Sequence, residues 1–253
     1  MSREQNIPAA LEADVIVLAG AYGSGKSELA LNLAAHLAGR RPFETLAWPA
    51  GAAMPPPVTP EGVILIDLDI VKPYFRAREV AARFRDFGVR FLDAAEGFAQ
   101  ADVPAISPAI LAALRLGRER LIVDLAGDQA GARLLRGLRQ SAPGRSVAFL
   151  LVANPYRPFS GDASAIAATG AALAAAAELK LAGIVANPHL LAETTEDRVV
   201  WGYREVARAA QELGVPVVWA AARAELCPSL QKRLPVPVFA VRRFLHPPWE
   251  WPS

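Results

Sequence analysis

The sequence predicts an α/β domain in which a mainly parallel sheet carries helices on both faces. Three observations predict it. Short apolar, β-branched runs alternate with helix-periodic segments almost to the end of the chain, the pattern of a sheet covered on both sides. At 253 residues and 53% hydrophobic, the chain can bury a full core as one domain. The third is a glycine-rich stretch, Gly20-Ala21-Tyr22-Gly23-Ser24-Gly25-Lys26-Ser27, set between the first apolar run and the first helical one.

Val15–Ala19 reads as a buried parallel strand, and residues 28–38, rich in Ala and Leu, as the helix after the glycine loop. Residues 40–61 contain Pro55, Pro56, Pro57 and Pro60, too much proline for a helix or a central strand. They read as a long surface loop, mobile or ordered by a partner. Gly62–Asp67 is a second buried strand ending in an acid. Residues 76–87 read as a helix, Val89–Leu92 as a short strand, and Pro108 opens a helix running to about Leu116. Strands over 121–124, 147–153 and 181–186 follow, with helices over 161–178 and 196–213. Val215–Trp219 and Val236–Ala240 are later strands, and a proline in each predicts edge positions. The proline-rich tail, 241–253, is expected to pack on the domain. No repeat or linker divides the chain, so a single domain over 1–253 is expected.

Composition removes several function classes. A net charge of +2 gives no concentrated basic surface for nucleic acid. Arginines far outnumber lysines, which a biased genome composition explains as readily as phosphate binding does. The single cysteine, Cys227, excludes an intramolecular disulfide and a Cys-x-x-Cys site, and a reducing cytoplasm is the expected setting. Residues 1–14 are charged without an apolar core, so no signal peptide is expected. The uncharged stretch 163–177 is too short and too weakly apolar to span a bilayer and reads as a helix packed closely on the sheet.

The glycine stretch is a complete Walker A sequence in the strand–loop–helix context that the motif requires. Its glycines allow backbone N–H groups to turn inward around a phosphate chain, at the positive end of a new helix. Gly20, Tyr22, Gly23, Ser24 and Gly25 are therefore expected to cradle a nucleoside triphosphate. Lys26 is expected to reach the β- and γ-phosphates and Ser27 to take a magnesium position. In open α/β sheets the ligand lies over the carboxyl ends of the strands. Asp124, leading into Leu125-Ala126-Gly127-Asp128, has the form of a Walker B acid and is a candidate for holding magnesium opposite Ser27; capping of the next helix is its bland alternative. Gly127 could sense the γ-phosphate through its N–H. Asp67 and Asp69, two residues apart, suit magnesium coordination and orientation of an attacking water, with turn chemistry as the other reading of Asp69. Asn154 and Asn187, each followed by proline after a strand, could read a purine edge or simply shape turns. Neither begins a guanine-reading Asn-Lys-x-Asp, which tilts the nucleotide toward ATP.

Four stretches taken in order resemble the MinD/ParA branch of P-loop ATPases: Gly25-Lys-Ser-Glu-Leu-Ala-Leu-Asn32-Leu-Ala34, Leu65-Ile-Asp67-Leu-Asp69, Leu151-Val-Ala-Asn154-Pro155 and Gly183-Ile-Val-Ala-Asn187. The resemblance implies a SIMIBI-type three-layer sandwich binding ATP and Mg2+, with one acid of the Asp67/Asp69 pair assisting water attack and Asn187 touching adenine. It also implies an ATP-dependent homodimer. The family's signature lysine is replaced here by Ala21, and the membrane helix of MinD is missing. Lys72 and Arg76, beyond Asp69, are candidates to supply the missing cationic contact; a solvated helix start is their other reading. Arg133 and Arg136, at helical spacing, read as a solvent face.

The expected function is an ATP-binding switch with slow, magnesium-dependent hydrolysis, exchanging ATP and ADP and acting with a protein partner. A phosphoryl-transfer or ligase-type enzyme of the dethiobiotin-synthetase kind is the rival, and a nucleotide-binding module with little hydrolysis a third. A metallochaperone-like NTPase comes last, because His36, His189 and His246 are scattered.

Overall fold

A computed structural model of the chain describes residues 9–38, 62–68, 84–85, 88–93, 107–158 and 160–245. Eight strands are found among them: β1 Val15–Ala19, β2 Val63–Leu68, β3 Val89–Asp93, β4 Arg120–Leu125, β5 Val147–Ala153, β6 Gly183–Ala186, β7 Val217–Arg223 and β8 Val238–Val241. They form one sheet in the order β3-β2-β4-β1-β5-β6-β7-β8, and every neighbouring pair is parallel. The helices are α1 Lys26–Leu37, α2 Pro108–Leu116, α3 Gln129–Gln140, α4 Ala163–Ala177, α5 Glu196–Leu213 and α6 Cys227–Arg233.

Parallel strands need crossover connections, and helices supply them on both faces. Alternation along each strand divides the core in two. Val15, Val17 and Ala19 of β1 join Ile64, Leu121 and Phe149 under α2 to α6. Ile16 and Leu18 join Leu65, Ile122 and Leu150 under α1, with Phe84 and Phe239 in the same cluster. The expected three-layer α/β architecture is the observed one. Gly170 explains how the alanine-rich α4 lies so close to the sheet: a Cβ there would come within 3.0 Å of Leu151 and Leu213.

The structure departs from the expected edge position of the 215–219 strand. β7 is internal, between β6 and β8; only β8 of the two proline-bearing segments is an edge. The reason is register. Pro216 and Pro237 precede the first strand residue, so the missing N–H removes no ladder bond. Their carbonyls accept from Ile184 N at 2.9 Å and Ala220 N at 2.9 Å.

The chain after β8 packs against α1. Buried Asn32 accepts from Arg242 N at 2.9 Å and donates to Arg242 O at 2.8 Å. Glu28 accepts from the N–H groups of Phe244 and Leu245 at 2.6 and 3.1 Å. Burial nevertheless pushes the Glu28 carboxyl up to about 7. Phe244 meets Phe84 edge to face, centroids 4.9 Å apart. The proline-rich stretch 40–61 and the tail beyond 245 lie outside the described residues, as does most of the expected 76–87 helix, of which residues 84 and 85 are helical.

Candidate nucleotide site

β1 ends at Ala19 at the centre of the sheet, between β4 and β5, and the glycine loop leads directly into α1. The N-terminus of α1 differs from the others of comparable length. Ser107, Asp128, Asp162 and Thr195 cap α2, α3, α4 and α5 through side-chain acceptors. The cap of α1 is Gly25, at φ 86°, with no side-chain hydrogen bond. The cap residue itself brings no side-chain acceptor to the positive end of the helix dipole, the arrangement that binds anions.

The loop is shaped from outside. Buried Asn187, after β6, donates from Nδ2 to Ser24 O at 2.7 Å. A trans peptide sets its C=O and N–H on opposite sides, so this bond turns the Gly25 N–H away from Asn187 and into the loop. Glycine is required there, since φ is positive and a Cβ would lie 2.3 Å from the Asn187 amide. Arg157, after β5, donates from Nε to Gly23 O at 3.1 Å. Gly127 rests on the loop base, where a Cβ would meet Gly20 O at 2.0 Å. Inside, Lys26 is buried, and so is Ser24, whose hydroxyl lacks a hydrogen-bond partner. That hydroxyl lies 2.9 Å from where a Gly20 Cβ would be, so it faces the loop interior. Tyr22 is 81% exposed at the loop tip, which leaves phosphate contact there to its backbone.

The acids stand on the other flank. Asp124 of β4 is level with Leu18 of β1 and with Asp67 of β2. It is only 5% exposed, while Asp67 is half-buried. Both sit within the last residues of their strands rather than beyond them. Asp93 of β3 continues the row in register with Asp67, a position that sequence reasoning passed over. Capping of α3 falls to Asp128, which accepts from Gly131 N at 2.7 Å, so Asp124 is not the helix cap. Among the described residues no three His, Cys, Asp or Glu side chains form a metal cage. Magnesium needs none: one or two carboxylates and a hydroxyl suffice when phosphates supply the rest, and Ser27, Asp67 and Asp124 fit that role. Asp69, Lys72 and Arg76 lie outside the described residues.

The asparagines serve the loop and its surroundings. Asn154 accepts from Tyr156 N at 3.1 Å and His189 N at 3.3 Å, and donates to His189 O at 3.1 Å, tying the ends of β5 and β6 together. Asn187, the amide expected to touch adenine, donates from Nδ2 to the phosphate loop. His189, beside Gly25, is lowered to about 4 by burial and by the charges of Arg157 and Arg243. Arg133 and Arg136 do lie on the solvent side of α3, Arg136 paired to Glu178 at 2.6 Å. Cys227 is buried and pushed up to about 12, which makes it inert. Arg157 and His189 were missed by sequence reasoning. The strand-end rule that selected the acids reaches Arg157 too when cations are sought in the same loops.

A glycine cradle at an uncapped helix start, with a buried lysine at its mouth, belongs to the class of P-loop nucleotide-binding domains. The chain belongs to the AAA domain family, which matches residues 2–179. No curated protein shows detectable sequence similarity to it. Among solved structures it is similar to the cell division protein FtsY of Thermotoga maritima, at 19% identity over 83% of this chain and 63% of that one, TM-score 0.47. Chloroplast FtsY of Physcomitrella patens gives 16% identity, 81% and 57% coverage, and TM-score 0.47. The signal recognition particle receptor FtsY of Elizabethkingia anophelis, in complex with GDP, gives 17%, 86%, 64% and 0.44. The chain thus spans less than two thirds of the length of each, and similarity at this level is confined to the general fold.

Proposed function

We propose that the protein is a magnesium-dependent ATP-binding switch of the MinD/ParA-like kind, a slow ATPase that alternates between ATP and ADP states to control a protein partner. The observation that carries this reading is the α1 N-terminus, uncapped by any side chain and roofed by a loop whose carbonyls are held outward. The first-turn N–H groups and Lys26 bind the phosphates, and Ser27, Asp67 and Asp124 hold the metal. Magnesium held there would supply positive charge against the phosphates. Asp67, with Asp69, orients the attacking water. ATP is favoured over GTP because Asn187 is followed by Pro188-His189-Leu190 and not by a guanine-reading sequence. Among the described residues no helix is long and apolar enough to cross a membrane, and a single inert cysteine suits the cytoplasm in which we place the protein.

Titration calorimetry with Mg-ATP tests the central claim. Lys26→Ala is expected to weaken triphosphate binding at least about tenfold, since a charge-assisted contact is lost. Unchanged affinity overturns the reading. Hydrolysis by the purified protein should be slow with ATP as sole substrate; rapid turnover argues against a partner-controlled switch, and turnover that requires a small-molecule acceptor favours a phosphoryl-transfer enzyme.

A further inference from the structure

Among the described residues six arginines donate to backbone carbonyls, Arg120, Arg145, Arg157, Arg198, Arg223 and Arg243, and of these Arg145 and Arg157 do so in contrasting ways. Arg145, at the amino ends of the strands, spends its guanidinium on the carbonyls of Ala113, Gly117, Asp14 and Glu119, and Asp14 adds a favourable charge. It is a structural tie. The Arg157 side chain makes one hydrogen bond among the described residues, Nε to Gly23 O, and no ion pair with any of them. It is half-buried, and its Cδ lies 3.3 Å from where a Gly23 Cβ would be, so the guanidinium rests against the phosphate loop. One N–H fixes the plane of the group; the two Nη nitrogens remain available as paired donors.

A guanidinium kept partly from water without a carboxylate is costly unless an anion arrives. The loop it rests on is built to receive one. Within the loop sequence Lys26 is the single cation, because Ala21 and Tyr22 bring no charge. The neighbouring imidazole of His189 stays neutral at physiological pH under the charges of Arg157 and Arg243, and of these two Arg157 is the one hydrogen-bonded to the loop.

We propose that Arg157 contacts the γ-phosphate of the bound triphosphate and thereby distinguishes ATP from ADP. The inference rests on the nucleotide-binding function proposed above and adds the residue that reads nucleotide state. Gly23 O acts as the fulcrum: it holds Nε while the Nη groups take two phosphate oxygens at once, which a lysine at this position could not reproduce. Sensing then falls to the β5 side of the loop, opposite the acids.

Affinities of Mg-ATP and Mg-ADP for wild type, Arg157→Ala and Arg157→Lys, measured by calorimetry with thermal unfolding as a check on folding, decide the matter. Arg157→Ala is expected to weaken ATP about ten- to a hundredfold while ADP stays within about threefold. Arg157→Lys, which keeps the charge but not the fork, should fall between. A parallel loss for both nucleotides means that Arg157 only braces the loop, and overturns the inference; so does no change for either, or a lysine variant no better than alanine. Wild type that binds neither nucleotide removes the proposed function, and this inference with it, whereas intact binding without a change in ATP/ADP ratio removes this inference alone.

Discussion

The two flanks of the phosphate loop are built on opposite principles. On the β5–β6 side, polar side chains are spent on backbone: Asn154 makes two bonds to His189 and one to Tyr156 N, Asn187 holds Ser24 O, and Arg157 holds Gly23 O. On the β2–β4 side, Asp67 and Asp124 stand level on neighbouring strands. A loop that turns its N–H groups inward must turn carbonyls outward, and buried carbonyls need donors. The first flank supplies donors and so sets shape. The second supplies carboxylates, set side by side where a cation can bind. Shape and charge are thus separable, and substitutions should separate them.

The largest expected effect is on the charge side. Asp124→Asn keeps the size of the side chain and removes its charge, so Mg-dependent nucleotide affinity should fall at least about tenfold while unfolding free energy changes by about 1 kcal/mol or less. Metal titration of nucleotide binding alongside urea unfolding measures both. A stability loss much larger than this would mean that Asp124 shapes the site, and the comparison would fail.

On the shape side, Asn187→Ala leaves the buried Ser24 carbonyl without its donor, a cost of about 1–3 kcal/mol. ATP and ADP affinities should drop in parallel, because the loop itself loosens. Gly25→Ala should be worse, combining a left-handed backbone with a Cβ 2.3 Å from the same amide. The double variant sharpens the point: with the amide gone the clash is gone, so the loss should be smaller than the sum of the two single losses. Strict additivity in urea unfolding would show that the two residues do not act through each other.

The sequence carried the charge side better than the shape side, for a physical reason. Strands buried on both faces must be apolar runs, so β1, β2, β4 and β5 could be read directly, and an acid closing such a run stands out. Uncapped α1 was equally legible, since Gly25-Lys26-Ser27 offers no capping side chain before the helix. Arg157 and Asn187 meet loop carbonyls more than a hundred residues away in sequence, and no local pattern encodes such a partner. The sequence marks Asn187 as a strand-end amide fit for a purine edge or a turn, and the bond to Ser24 O is a third use of the same amide that no local pattern announces. The prolines misled at β7, where Pro216 sits one residue before the ladder and its carbonyl still takes part in it.

The smallest effect at neutral pH concerns His189, which lies on the shape side but titrates. Burial, with the charges of Arg157 and Arg243, lowers its pKa to about 4 from an ordinary 6.5. Above about pH 6.5 the imidazole is neutral in both folded and unfolded chains and contributes no pH dependence. As pH falls from 6.5 toward 4, the unfolded chain takes up a proton that the folded one refuses, so stability is lost across that window; below about 4 both forms are protonated and the slope ends. His36, lowered to about 4 by burial at the far end of α1, adds a second slope in the same window. Glu28, raised to about 7, gives the opposite slope, gaining stability as pH falls from 7 toward 4.5, so His189→Gln and His36→Phe should each lessen the loss of urea midpoint measured against that gain. Nucleotide affinity distinguishes the two: acidification should weaken binding more in wild type than in His189→Gln, because a second positive charge beside Arg157 disturbs the braced flank. If the His36 variant changed the pH profile of binding as strongly as the His189 variant, the effect would belong to global stability and not to this side of the loop.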